Sequence, residues 1–438
     1  MPHLGWGGIV RLGLVQAGLG SIVVLTTSTL NRVMVVELAL PALIPGLLVG
    51  LHYVLQVLRP RLGYGSDVGG RRTPWILGGM AVLAVGGTLA ACGTALMASH
   101  LAAGMAVTVA AFVLVGLGVG ACGTALLTLL AKRADPRHRA PAATIVWLMM
   151  IFGIAVTATV AGKLLDPFSI ERLVGVTAAV SAIAFAATAL AVWGIEGAVD
   201  AAPPAPAESG GAFLPALREI WAEPQARRFA IFVFVSMLAY SAQDLVMEPF
   251  AGAVFGMTPG ETTALTGLHH AGLLIGMGLV AVFGLLSGGF RTGAMRGFTI
   301  GGCVGSAVAI ALLAASGFGL DWPIRGGVVV LGVANGAFAI AAIGAMMGLA
   351  SNGRSGREGT RMGLWGAAQA LAFGAGGLMS TGVADLAHRV FGGPAPAYAA
   401  AFLIEAALFL LSAVLAIGVF QTRRISQAPM GANAIQAS

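Results

Sequence analysis

Long apolar runs, broken by short stretches rich in arginine and glycine, repeat along this chain from end to end. A helix needs about 20 apolar residues to cross the hydrocarbon of a bilayer. Twelve runs meet that requirement, and the pattern predicts spans over 12–34, 38–58, 74–98, 103–131, 141–163, 172–194, 229–256, 262–287, 297–316, 325–349, 362–383 and 397–420. All are predicted to be helices, because an isolated strand in lipid leaves its backbone N–H and C=O groups unpaired. The expected fold class is an all-α membrane protein with 12 transmembrane helices.

Composition supports this reading. Of 438 residues, 58% are hydrophobic and 9% are charged, with a mean hydropathy of +0.92. A soluble domain carries about 25% charged residues. The net charge of +7 invites a nucleic-acid reading. Here, however, the arginines sit in short connections between apolar runs, so the expected partner is the lipid bilayer and not nucleic acid. Placing the N-terminus in the cytoplasm puts 19 of the 24 Lys and Arg residues on that side, leaving Arg32, Lys163, Arg172, Arg325 and Arg389 outside. This bias predicts that both termini are cytoplasmic. The first run follows Arg11 directly and reads as an uncleaved first span. Cys92, Cys122 and Cys303 lie inside apolar runs without metal-ligand spacing and read as small buried hydrophobes; no metal site is expected.

The longest connection, 195–228, opens with an Ala-Pro-rich stretch from Ala201 to Ala207. Such a segment cannot bury a core and reads as a linker, with a short amphipathic surface helix expected from Phe213 to Arg228. The predicted organisation is an N-terminal six-helix half (1–194), this linker, a C-terminal six-helix half (229–420) and a cytoplasmic tail (421–438). The halves echo one another. Asn31-Arg32 through Glu37 matches Gln243-Asp244 through Glu248, and Gly50-Leu51-His52 matches Gly267-Leu268-His269-His270, at offsets of 212 and 217 residues. A duplicated six-helix unit around a midplane site accounts for such matches.

Between the second and third runs the chain reads Gly63-Tyr-Gly-Ser-Asp67-Val-Gly-Gly70-Arg71-Arg72. This resembles the major facilitator loop signature, in which glycines permit a tight turn and the Asp pairs with Arg or accepts from a helix N-terminus. Val68 departs from it, standing where that family prefers a basic residue. Four further segments carry a narrower resemblance: Thr29-Leu-Asn31-Arg32-Val-Met34-Val-Val-Glu37-Leu, Tyr240-Ser-Ala-Gln243-Asp244-Leu-Val-Met247-Glu248-Pro249-Phe, Gly256-Met-Thr-Pro-Gly-Glu261-Thr-Thr and Arg361-Met-Gly-Leu-Trp365-Gly-Ala-Ala-Gln369-Ala. Nearly end to end, the chain is similar to the PucC / bacteriochlorophyll-delivery branch of the major facilitator fold. That resemblance implies a place in the intracytoplasmic photosynthetic membrane and a role in assembling light-harvesting antennae by handling bacteriochlorophyll or antenna polypeptides. Its implied partners extend to the reaction centre and pigment-synthesis enzymes.

Ionisable residues inside a membrane are costly, and each is a site candidate. Asp244 and Glu248, four apart, share a face of the seventh helix. Arg32 and Glu37 lie near the same end of the first helix, and Arg32 is expected to pair with Asp244 or Glu248, as a structural clamp or as part of a binding and gating cluster. Gln243 and Gln369 are weaker members of that set. His52, His269 and His270 lie mid-helix. A neutral imidazole gives its lone pair to a metal, so these are candidate ligands for the magnesium of a bacteriochlorophyll, held non-covalently. The glycine of each Gly-Leu-His is expected to leave room for a flat macrocycle. Adjacent positions on a helix point about 100° apart, so at most one of His269 and His270 faces a cavity. Glycine patches at Gly116–Gly120 and Gly374–Gly377 suit close helix packing.

No phosphate-cradling Gly-x-x-x-x-Gly-Lys-[Ser/Thr] loop, Ser-His-Asp set, or Asp-rich diphosphate motif is present in the sequence, so no catalytic residue and no enzymatic role is expected. Two alternatives stand beside antenna assembly. One is a secondary transporter driven by protons through Asp244 and Glu248; the other is a pigment-free scaffold for antenna or reaction-centre proteins.

Overall fold

The computed structural model describes residues 4–58, 71–134, 139–196, 221–286, 292–320, 322–351 and 358–425. Among these residues the chain forms α1 (Trp6–Glu37), α2 (Leu43–Leu55), α3 (Thr73–Met97), α4 (Leu101–Arg133), α5 (Arg139–Leu165) and α6 (Ile170–Val192). It continues with α7 (Pro224–Phe255), α8 (Pro259–Leu286), α9 (Thr292–Ser316), α10 (Ile324–Ser351), α11 (Glu358–Phe391) and α12 (Pro394–Ile425). Eleven of these helices are long and apolar enough to cross a membrane; α2 is apolar but shorter.

Most boundaries fall within a few residues of the expected spans. Two differences have local causes. The expected second span starts at 38, whereas α2 starts at Leu43. Ala39 takes a left-handed conformation (φ 53°) and Pro41 follows it, so the chain turns before the helix begins. The surface helix expected to end at Arg228 is not separate over its last residues: 224–228 form the first turn of α7, with Pro224 at the start, where a missing N–H costs nothing. Residues 197–220 of that connection lie outside the described residues, as do Gly63, Asp67 and Gly70 of the loop signature.

Glycine sets the packing distances. A Cβ on Gly79 of α3 would fall 2.5 Å from the amide nitrogen of Cys122 in α4, and one on Gly118 would fall 2.6 Å from that of Leu83. Between α8 and α10, a Cβ on Gly276 would reach the Val333 carbonyl, and one on Gly336 the Leu273 carbonyl. In lipid, where apolar surface gains nothing by leaving the solvent, such close backbone approach is a principal source of helix association.

Helices of the first six meet those of the last six where α1 packs on α7 and α8, α2 on α11, and α5 on α8. At the end of the bundle away from the chain termini, the distal end, polar contacts bind these seams. The Asp385 carboxylate of α11 accepts from the amides of Ala42 (2.9 Å) and Leu43 (2.7 Å) at the start of α2. Thr258, just before α8, donates its hydroxyl to Asp166, just after α5, at 2.7 Å. At the opposite end, Glu196 accepts from the amides of Arg72 (2.7 Å) and Thr73 (2.8 Å), capping the N-terminus of α3.

Candidate functional site

The candidate residues of α1, Arg32 and Glu37, lie in a run of two π-helical turns with an α-helical turn between them, Leu25–Thr29, Leu30–Arg32 and Val33–Glu37. Such turns inside α-helices are frequent at functional sites. This segment aims Thr29, Asn31 and Arg32 into the α7–α8 seam. Thr29 shares a hydrogen bond with Thr263 of α8 (2.9 Å), and the Asn31 amide donates to the Leu245 carbonyl of α7 (2.6 Å).

Arg32 is buried, and its guanidinium holds Glu37 of its own helix at 2.5 Å and the Met257 carbonyl at 2.7 Å. The expected ion pair with Asp244 or Glu248 is not formed. Glu37 is only five residues away, and its half-exposed carboxylate reaches the guanidinium without crossing the seam. The guanidinium packs over Gly252 of α7, where a Cβ would stand 2.9 Å from its nearest nitrogen.

Glu248 is fully buried and takes its hydrogen bonds from α8 instead. Thr266 donates its hydroxyl to one carboxylate oxygen at 2.5 Å, and Thr262 donates to the other at 3.4 Å. The carbonyl of the same Thr266 meets His270 Nδ1 at 2.9 Å. A carbonyl only accepts, so Nδ1 carries the proton and the Nε2 lone pair points away from this bond. That nitrogen has no hydrogen-bond partner among the described residues. The tautomer suits a metal-ligating imidazole, oriented by a backbone carbonyl through its other nitrogen.

His269 is arranged differently. Its Nε2 lies 3.3 Å from the Gln243 amide nitrogen of α7 and 3.2 Å from that of Asn335 in α10. The Asn335 oxygen accepts from Ser306 of α9 (2.7 Å), which leaves its NH₂ to donate to the imidazole. All four side chains are buried. The lone pair that a magnesium would need is already used, so His269 is better read as the centre of a polar tie between four helices. His52 Nε2 is similarly met by Gln56 of its own helix at 3.1 Å, with the ring edge-on to Tyr53.

The glycines two residues before these histidines do not make room for a macrocycle. A Cβ on Gly50 would fall 3.2 Å from Leu378 of α11, and one on Gly267 would fall 2.9 Å from the backbone nitrogen of Thr159 in α5. Both serve helix contact. Gly116 faces the His52 carbonyl and Gly377 faces Leu245 in the same way.

An apolar cavity of about 410 Å³ opens between α5 and α8, lined by Leu148, Met149 and Phe152 on one side and Leu274, Met277 and Ala281 on the other. Those α8 residues stand four, seven and eleven positions after His270. At about 100° per residue, they share its face of the helix.

Asp244 is half-buried and makes no hydrogen bond or ion pair with any described residue. Gln369 lies apart from the Arg32–Glu248 cluster, with its amide 3.8 Å from the Met237 sulfur. Arg71 is exposed and Arg72 is buried at the start of α3. Glu405 of α12 is absent from the sequence-based set, although it is as deeply buried as Glu248. A lone acid inside the run 397–420 was visible by the same rule that selected Asp244. Asn335 and Thr266 carried no comparable signal, since neutral polar residues are common in membrane helices.

A model of the PUCC protein family matches residues 29–424. The chain belongs to the PUCC family. Among PUCC-related sequences, the bacteriochlorophyll synthase 44.5 kDa chain of Rhodobacter capsulatus is 52% identical over 97% of this chain and 98% of its own length. Protein PucC of Cereibacter sphaeroides is 28% identical over 94% and 92%. Among solved structures, a bacterial homologue of the lysosomal transporter Spinster, in an inward-facing conformation, superposes with a TM-score of 0.70 at 16% identity, covering 97% of this chain and 98% of its own. The D-xylose–proton symporter gives 0.69 at 15% identity, covering 94% and 97%. At such identities the likeness is one of fold: this PUCC-family chain is a multi-pass membrane protein with the major facilitator architecture. Of these relatives, the chain from Rhodobacter capsulatus carries bacteriochlorophyll in its name.

Proposed function

We propose that this protein is an antenna assembly factor of the bacterial photosynthetic membrane that binds bacteriochlorophyll and delivers it, or nascent antenna polypeptides, to light-harvesting complexes. In this reading both termini are cytoplasmic, six helices stand on either side of the 195–228 linker, and the protein catalyses no reaction itself. The observation that carries it is the near full-length relationship, at 52% identity, to a chain whose name ties it to bacteriochlorophyll. His270 gives it a physical basis. Its Nδ1–H is fixed by Thr266, its Nε2 is uncommitted, and an apolar cavity continues along the same face of α8, as a ligand with a metal-bearing head and a long apolar tail requires. When bound, the pigment would supply a Lewis-acidic magnesium; His270 would hold it through Nε2, and Leu274, Met277 and Ala281 would offer its tail an apolar wall.

The test is the absorption spectrum of gently solubilised, tagged protein from a pigment-producing host. A chlorin band is expected that falls in His270→Ala and is largely kept in His269→Ala. Preparations that are always colourless would remove pigment handling from the reading. Antenna polypeptides co-purifying without pigment would favour the scaffold instead.

A further inference from the structure

The seam between α5 and α8 is closed along its distal half and open along the other. A Cβ on Gly162 of α5 would fall 2.6 Å from the Gly260 carbonyl and 2.7 Å from the Ala264 nitrogen, and one on Gly267 of α8 would fall 2.9 Å from the Thr159 nitrogen. Towards the end that holds the chain termini this contact is lost. A Cβ on Gly278 would meet nothing within 4 Å, and the cavity of about 410 Å³ lies there instead. Its lining on α5 runs from Thr144 to Phe152, about 8 Å and about 20 Å from the helix start at Arg139 at the α-helical rise. The whole helix is about 40 Å long, matching a bilayer with its headgroups, so the cavity occupies the depth of one leaflet.

The cavity joins the lipid side of the seam to the bundle interior. Phe152, Val156, Val160 and Leu164 repeat four apart along an exposed face of α5, and Ile275, Leu279 and Val282 make an exposed face on α8. These side chains are all apolar, as contact with hydrocarbon requires, whereas the buried face of α8 carries Thr262, Thr266 and His270. Phe152, 59% exposed, belongs to the lipid-facing row and also lines the cavity. Met277, 5% exposed, lines the same cavity from inside, where it clusters with Ile151 and Leu273. Tyr240 of α7 and Ile340 of α10 pack against that cluster, and Ile340 completes the lining.

What fits such a space follows from its chemistry. Among the described residues, Thr144 is the one polar side chain in the lining. A water molecule needs two to four polar partners, whereas an apolar cavity of about 150 Å³ already takes up benzene. Met149 and Met277, unbranched and polarisable, adapt to a chain of irregular course. We propose that the gap between α5 and α8 is a side portal, which admits a hydrocarbon chain of a bilayer lipid from the leaflet at the termini end and seats it against Met277. No charged residue among the described ones lines the gap, so the lipid headgroup stays at the membrane surface. The portal needs only the cavity and the two helix faces, and a colourless preparation leaves it standing.

Purified full-length protein in phosphatidylcholine vesicles tests this, with part of the lipid carrying a photoactivatable diazirine in mid-chain. After illumination, mass spectrometry is expected to find acyl label on Met277 as well as on the exposed Leu279, and none on the fully buried Phe338. In Gly278→Trp the label on Met277 should be lost while that on Leu279 stays, because the indole fills the mouth from a position where a side chain meets no neighbour. Ala281→Phe, in the lining of the same gap, takes its place if Gly278→Trp does not fold. Label on Met277 no higher than on Phe338 in the parent, or kept in the blocking variant, overturns the portal. So does modification of Met277→Cys by a charged thiol reagent as fast as an exposed site, which would mean that water fills the gap.

Discussion

Thr266 gives its hydroxyl hydrogen to the Glu248 carboxylate at 2.5 Å, inside a bundle where that acid is wholly buried. Replacing Thr266 with valine keeps the shape and removes the donor. Leaving a buried acceptor short of a partner costs about 1–3 kcal/mol, so the thermal midpoint in detergent should fall. The bond to His270 runs through the backbone carbonyl and survives the substitution, so the chlorin band, where present, should persist in Thr266→Val. A band lost together with stability would mean that His270 is positioned by something other than this carbonyl.

Gly252 is expected to tolerate no side chain. Alanine there would bring a methyl group against the Arg32 guanidinium, which Glu37 and the Met257 carbonyl pin from two directions. Overpacking a filled site costs about 1–3 kcal/mol. Gly252→Ala should therefore lower the unfolding temperature more than alanine at Gly78, where a Cβ meets nothing within 4 Å.

Asp385 joins α11 to α2 at the distal end by capping two amides. Losing a helix N-cap costs about 0.5–2 kcal/mol, and here the loss falls on a seam between the first and last six helices. Asp385→Ala should speed hydrogen exchange at the amides of Ala42 and Leu43 while leaving that of the α3–α4 contact unchanged. Equal protection in both proteins would show that the cap does not hold the seam.

Glu196, beyond the end of α6, should give the protein an acid-side sensitivity. Partial burial pushes its pKa up, but hydrogen bonds from the Thr73 side chain and from the amides of Arg72 and Thr73, together with the charge of Arg72, hold it below the usual carboxylate value. A group with a lowered folded-state pKa contributes stability above its unfolded value, and that stability is lost as pH falls through the folded value. Glu196→Gln should therefore be less stable at neutral pH and less sensitive to acid than the parent, measured as thermal midpoint against pH.

The fold was legible because lipid enforces a simple rule: runs such as 103–131 and 397–420 have no other stable form. The site was legible only in part. Asp244 and Glu248 stood out because charge is costly in lipid, and both lie where α7 meets its neighbours. Their partners did not stand out. Arg32 takes its carboxylate from Glu37 five residues on, a spacing that an ideal α-helix does not bring face to face and that the π-helical turn around Val33–Glu37 accommodates. Nor does sequence spacing distinguish adjacent histidines. His269 and His270 differ only in which neighbour reaches them first, an amide pair from α7 and α10 or a carbonyl one turn back.

The wide turns of α1 have one more implication. Each accommodates a surplus residue, so the helix holds its length in reserve. Excising a single residue from Leu25–Thr29 lets that turn revert to ordinary winding without breaking the rod. Everything beyond would keep nearly its present direction, whereas the same excision from an ordinary turn would swivel it by about 100° and carry Asn31 and Arg32 off the α7 seam. The first span thus resembles a key whose teeth are cut by insertions, able to lose a residue within a wide turn but not between ordinary ones, a distinction that hydropathy would not register.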